Sequence, residues 1–265
     1  MAFKFSEAHI ADYFTQGYTV FRGILPPALI TDLRKVTDRG RDLVRKEKGP
    51  QYQRFQPVSA YDIDQKPFEN YRDLPELRDA IAKVLSPRHK NGDLKYLGVL
   101  VEPADRPECT NWHRDWIHHK APEVFEACPL NIYDLNLFNQ INCALYEDGS
   151  TWVVPGSHFR KDLPAEASAF GVPAAWPDMK DLTDAAAERA GIEYCRRMPG
   201  AVQLFLNAGD FAMYRNVMWH LGNYAPYRKR ATLHDTAWTP EYIDWMNKIK
   251  MVSESLQPQP VGGRA

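Results

Sequence analysis

Two observations set the fold class. Helical periodicity runs through roughly the first third of the chain, to a turn region at Pro87–Gly92. After it come many short extended runs separated by turn signals. Helices first and strands after predict a mainly β protein, an antiparallel sandwich or barrel with flanking helices packed outside. A His-x-Asp triplet at 113–115 falls among the extended runs. There, inward-facing alternate residues of a cup can converge on a cavity.

The elements follow in order. Ser6 is an N-cap, Ile10, Tyr13 and Phe14 follow at helical spacing, and Gly17 ends the helix. Tyr18–Phe21 reads as a strand. Pro26-Pro27 opens a second helix with Leu29, Leu33, Val36, Leu43 and Val44 as its apolar stripe. Gln51–Asn70 is polar, aromatic and irregular, and is expected to be a long loop and a candidate lid. A third helix starts at Asp73-Leu74-Pro75 and carries Leu77, Ile81, Val84 and Leu85. Strands are expected at Leu94–Val101, Gln140–Tyr146, Thr151–Val154, Ala201–Leu206, Phe211–Tyr214, near Trp219 and at Arg230–Trp238. Ser157–Arg197 interrupts them, with a helix over Asp181–Gly191 that Gly191 should stop, and it is the second candidate lid. Pro240 begins a last helix, and the tail from Pro258 has the composition of a disordered segment. This organisation predicts one domain over 1–265: a mainly helical part at 1–90, a β core at 94–238 with an insertion at 157–197, and a helix and tail at 240–265.

Composition bounds the function. The chain has 265 residues, 44% hydrophobic and 25% charged, with a net charge of −1. That is ordinary globular composition. No basic surface is implied, so neither nucleic acid nor an anionic membrane is an expected partner. Cys109, Cys128, Cys143 and Cys195 form no C-x-x-C pair, which argues against a zinc ribbon and for reduced thiols in a cytoplasmic protein. No apolar run is long enough to span a bilayer. A small-molecule substrate is the expected partner, and the oligomeric state is left open.

The chemistry centres on Asn111-Trp112-His113-Arg114-Asp115-Trp116. In extended backbone His113 and Asp115 project together while Arg114 turns away. A second His from elsewhere would complete the two-His-one-carboxylate face used for non-haem Fe(II), which leaves positions open for substrate and oxygen. His220, at the end of the apolar run 211–219 and just before Leu221-Gly222, is placed to do so. A buried, hydrogen-bonded structural histidine is the plain alternative for His220. Arg228 and Arg230 sit two residues apart, and a planar guanidinium can anchor a carboxylate by two parallel hydrogen bonds. Surface charge is the plain alternative for each. Gln140 and Asn142 share a strand face and can hydrogen-bond a bound ligand, or serve only as polar groups of the sheet. Trp112, Trp116, Trp152 and Trp219 adjoin the motif residues and suggest an aromatic wall for a fairly apolar substrate. His118 and His119 are loop residues close to the triplet.

Five segments in this order resemble the phytanoyl-CoA dioxygenase family of Fe(II)/2-oxoglutarate oxygenases. They are Tyr13–Leu25, the His113-Arg114-Asp115 triplet, Gly149–His158 with its Pro155-Gly156-Ser157-His158 turn, Ala208-Gly209-Asp210 through His220, and Arg230-Ala231-Thr232-Leu233. The resemblance spans Phe5 to about Trp238. It implies a double-stranded β-helix (jelly-roll, cupin-like) core. It also implies Fe(II) held by His113, Asp115 and His220, 2-oxoglutarate anchored by Arg230 with Arg228 as the rival, and O2 as cosubstrate. The implied activity is hydroxylation of an unactivated C–H with release of succinate and CO2. Desaturation, epoxidation or rearrangement would use the same ligands. Related halogenases have a small residue where Asp115 stands, so the carboxylate argues for oxygenation. A non-catalytic cupin-like protein that binds a metal or ligand is the alternative from another class.

Overall fold

The computed structural model describes residues 3–117, 122–128, 131, 133–170 and 177–255. Helix α1 spans Glu7–Gln16, strand β1 Tyr18–Phe21 and helix α2 Pro27–Lys48. The backbone N–H of Ser6 donates to His9 Nδ1 at 3.0 Å, which closes the first turn of α1. Gly17 ends α1 at φ 85°, and a Cβ there would strike the His158 ring. Gly17 therefore answers two demands, the left-handed cap and the close approach of the Pro-Gly-Ser-His turn.

The stretch expected to be a long loop is ordered. It contains strand β2 (Arg54–Phe55), a single 3-10 turn at Val58–Ala60 and helix α3 (Lys66–Arg72). Its few apolar residues explain this, because Phe55, Val58, Phe68 and Tyr71 are all fully buried. Helix α4 covers Pro75–Val84. Strands β3 (Gly98–Val101) and β4 (Glu108–Cys109) follow, then helix α5 (Pro122–Ala127). Next come β5 (Gln140–Ala144), β6 (Thr151–Val153), α6 (Pro164–Phe170) and α7 (Asp184–Arg197). Strands β7 (Val202–Gln203), β8 (Phe211–Tyr214), β9 (His220–Tyr224) and β10 (Ala231–Asp235) precede the last helix, α8 (Pro240–Ser255). Gly191 does not stop α7. A Cβ there would meet the Asn223 side chain at 2.6 Å and Met179 at 2.8 Å, so the glycine lets the helix lie close against β9.

Two antiparallel sheets form the β core. One has the order β1-β8-β5-β10-β3-β2 and the other β4-β9-β6-β7. Strand alternation divides the larger sheet. Ile141, Cys143, Phe211, Met213, Leu233 and Val99 pack outward against the helical layer of α2, α3 and α4. Gln140, Asn142, Tyr214, Arg230 and His234 face the other way, into a cavity. On the smaller sheet Trp152 and Leu221 pack outward on Tyr194 and Cys195 of α7, while Thr151, His220 and Tyr224 face the same cavity. No helix among the described residues is long and apolar enough to cross a membrane.

Candidate metal centre

The cavity between the sheets has a volume of about 630 Å³, within the range of small-molecule sites. His113 and His220 pair across an isolated bridge, with backbone bonds of 3.1 and 3.0 Å between them. This pairing brings residues 107 positions apart in the chain into ring contact, with centroids 4.3 Å apart. The chain turns immediately after the bridge, and Asp115 N–H donates to Asn216 O at 2.9 Å. Asp115 Oδ1 then lies 3.6 Å from His113 Nε2 and 3.8 Å from His220 Nε2.

Both imidazoles have the tautomer a metal requires. His113 Nδ1 lies 2.8 Å from Asn111 O, and His220 Nδ1 lies 2.8 Å from Met218 O. A carbonyl only accepts, so Nδ1 carries the proton and Nε2 turns its lone pair to the cavity. Asn216 Nδ2 donates to Asp115 Oδ2 at 3.3 Å and leaves Oδ1 directed at the imidazoles. One ligand atom from each of these three residues lies within 4.8 Å of the others. The donor set is the two-His-one-carboxylate face, and its chemistry fits a non-haem iron with open positions. Arg114 turns away from the cavity. It is buried and donates to Ser157 O at 2.7 Å and to Val217 O at 2.9 Å.

Arg230 lies on the cavity wall and is 7% exposed. Its Nε donates to Asp148 Oδ2 at 2.9 Å, and its guanidinium sits 4.8 Å from the centre of the Tyr224 ring. Burial alone would raise the Asp148 carboxyl. Arg230 and hydrogen bonds from Ser150 and Thr232 outweigh that and hold it at about 2. Arg230 is thus a fixed cation on the cavity wall, oriented through Nε. Arg228 is placed differently. It lies in the turn before β10, is exposed, pairs with Glu188 at 2.7 Å and does not line the cavity. Two-residue alternation does not carry from a turn into a strand, so the two arginines do not share a face.

Gln140 and Asn142 both line the cavity. Each is tied into a polar network. Gln140 Nε2 donates to Tyr214 OH at 2.5 Å, and Asn142 Nδ2 to Thr151 Oγ1 at 3.1 Å. Asn142 Oδ1 lies 2.8 Å from His234 Nδ1. Burial, with Arg54, Arg230 and His220 nearby, pushes His234 well below the ordinary histidine range. His234 is therefore neutral, with Nε2 as an acceptor. His158 is not a ligand. Burial and Arg215 lower it to about 4, and it packs on Gly17.

Of the four tryptophans expected at the wall, Trp116 alone lines the cavity. Trp112, Trp152 and Trp219 are buried in the apolar cluster with Phe170, Tyr194 and Cys195. The reason is the strand alternation that aims the two histidines. Trp112 precedes His113 and Trp219 precedes His220, so each points away from the cavity where its neighbour points in. His118 and His119 lie outside the described residues. Sequence reasoning missed Arg54, Tyr214, Tyr224, His234 and Trp238 on the wall. Arg54 borders the cavity near its exposed rim, and no carboxylate among the described residues pairs with it. Strand alternation on β3 and β10 was the available signal for His234, two residues beyond Thr232 and four beyond Arg230. Arg54, in a stretch without periodicity, gave none.

No family model matches the sequence, and no curated protein matches it. Solved structures do resemble its fold. The non-haem α-ketoglutarate-dependent carbocyclase SnoK from nogalamycin biosynthesis is 17% identical with a TM-score of 0.55, and the match covers 98% of this chain and 95% of that one. The non-haem α-ketoglutarate-dependent epimerase SnoN from the same biosynthesis is 15% identical with a TM-score of 0.54, covering 88% of this chain and 82% of that one. AviO1 from Streptomyces viridochromogenes Tue57 is 15% identical with a TM-score of 0.56, covering 87% and 93%. The chain therefore has the fold of non-haem α-ketoglutarate (2-oxoglutarate)-dependent enzymes, with a His-Asp-His group converging inside it.

Proposed function

We propose that the chain is one Fe(II)/2-oxoglutarate-dependent oxygenase domain with a double-stranded β-helix core, acting on a C–H bond of a small organic molecule. The observation that carries this reading is the convergence of His113, Asp115 and His220 on the same cavity that Arg230 faces. Fe(II) and 2-oxoglutarate, when bound, supply oxygen activation coupled to decarboxylation, with succinate and CO2 released. The chain's own residues hold and orient. His113, Asp115 and His220 hold the metal on one face. Arg230, aligned by Asp148, binds the far carboxylate of 2-oxoglutarate with its terminal N–H groups. Arg54 adds a second guanidinium to the cavity for the anionic cosubstrate. Gln140, Asn142 and neutral His234 offer hydrogen bonds without adding charge. Trp116 and Trp238 close the wall and exclude water from the reacting C–H.

Hydroxylation is the default outcome. Rearrangement, desaturation, epoxidation or epimerisation through the same residues is the second reading, favoured by the fold's likeness to a carbocyclase and an epimerase. Product mass separates oxygen insertion, by hydroxylation or epoxidation (a gain of one oxygen), from desaturation (a loss of two hydrogens) and from epimerisation (no change). The direct test of the site is anaerobic titration of 2-oxoglutarate into Fe(II)-loaded protein. Binding should need the metal, weaken with Arg230→Gln and be unchanged with Arg228→Gln. Equal binding without metal would overturn the proposal.

A further inference from the structure

Helix α8 places Ile243, Met246, Asn247 and Lys250 on the cavity. Their spacing of three, four and seven residues is one helical face. A neighbouring face holds the helix in place. Trp245, Ile249 and Val252 pack against Val124, Cys128 and Phe138 at the end of the barrel. Trp245 meets Trp116 edge-on at 4.8 Å, so the helix is anchored to the residue just after the ligand Asp115. Among the described residues, Ser157–Arg197, expected as a lid, contributes none to this cavity, and Gln51–Asn70 contributes Arg54 and Gln56.

The cavity lining is chemically mixed. The ligands, Arg230 and the Asn142 network are polar, whereas Leu100, Trp116 and Trp238, with Ile243 and Met246 of α8, are apolar. On the same face of α8 stand Asn247 and Lys250, both exposed, with Lys250 held only loosely by Glu254 at 3.9 Å. The geometry points to α8 as the wall that selects the substrate: an apolar ring system lying against Ile243 and Met246, with a polar or anionic substituent meeting Asn247 and Lys250. This rests on the proposed oxygenase reading, in which 2-oxoglutarate lies between the metal and Arg230.

The test uses 8-anilinonaphthalene-1-sulfonate, a naphthalene ring bearing an anion, titrated by fluorescence into full-length protein loaded with Mn(II) and 2-oxoglutarate. One probe molecule should bind. Met246→Glu should weaken it about tenfold or more, the worth of one side chain's apolar contact. Lys250→Glu should weaken it about threefold or more, the loss of one exposed charge contact. Asn247→Trp, a change at an exposed position that does not disturb packing, should block it. Lys248→Glu, exposed and off the cavity, should leave it unchanged. Affinity for 2-oxoglutarate is measured in parallel and should be the same in all five proteins. Absence of probe binding to the wild type, or equal binding by the Met246, Asn247 and Lys248 variants, overturns the assignment of α8. Failure of the wild type to bind 2-oxoglutarate would instead strike the oxygenase reading and leave the α8 result readable by itself.

Discussion

Asp148 is the most informative single position outside the His113–Asp115–His220 group. Four donors converge on its carboxylate. Ser150 N–H, at 2.8 Å, and the Ser150 hydroxyl reach Oδ1, while Arg230 Nε at 2.9 Å and the Thr232 hydroxyl at 2.7 Å reach Oδ2. Asp148→Asn supplies only one acceptor oxygen. Whichever way the amide turns, its NH2 faces two donors, and the buried Arg230 charge loses its carboxylate. Breaking a buried ion pair from one side costs about 3–5 kcal/mol. For a protein of this size each kcal/mol is worth about 2–4 °C, so Tm should fall by about 6–20 °C. Arg230 would also lose its alignment, so affinity for 2-oxoglutarate should drop about tenfold or more, the worth of one charge-assisted hydrogen bond. The pH dependence has a definite sign. Asp148 sits at about 2 against an ordinary 3.8, so its stabilisation is present above about pH 4 and is lost as pH falls through 2. Calorimetric melts and 2-oxoglutarate titrations of the Mn(II) protein measure both effects. A variant melting within about 2 °C of wild type, with unchanged affinity, would refute the argument that Asp148 aligns Arg230.

Three further outcomes are expected. His113→Ala and His220→Ala each delete one of three ligands, so metal affinity measured by titration should fall by more than the roughly 10–100-fold that outer partners contribute. Asp235 is raised by burial to about 7 from 3.8. Its contribution to stability is therefore full below about pH 4 and is lost as pH rises through 7, at most about 4 kcal/mol. Urea melts across that range should show the decline in wild type and a flatter profile in Asp235→Asn. Gly17→Ala combines a φ of 85° with a collision on His158, and should destabilise by roughly 2–4 kcal/mol, seen as a lower urea midpoint.

Much of this site is legible in the chain because it obeys two short rules. The antiparallel bridge pairs His113 with His220, and the turn at residues 115–117 brings the Asp115 carboxylate beside both imidazoles. Alternation in extended backbone, applied to Trp112 and Trp219, excludes them from the cavity, and Trp152 follows Thr151 outward in the same way. Within extended backbone, adjacency to a cavity-facing residue is evidence against sharing its face; Trp116, in the turn after Asp115, escapes that rule. Arg228, the rival to Arg230, stands apart from it because a turn intervenes before β10 and the strand period does not reach back to it. The ordered structure of residues 51–72 was hidden because its few apolar residues, Phe55, Val58, Phe68 and Tyr71, follow no single period. Arg54 and the cavity face of α8 depend on how distant elements close over the barrel. Nothing local in Arg54-Phe55 or in Ile243–Lys250 states what lies opposite. Gly191 reads as a helix stop by composition, yet it is a contact point between α7 and β9.

The measurement that tests the central claim most directly is succinate formation by anaerobically purified, Fe(II)-loaded protein on exposure to 2-oxoglutarate and oxygen, with His113→Ala alongside. Even without the true substrate, slow uncoupled turnover is expected from the wild type. It should need iron, and it should be abolished in the variant. Succinate formed at equal rates by wild type and His113→Ala, or formed without iron, would contradict the assignment of His113, Asp115 and His220 as the catalytic metal centre.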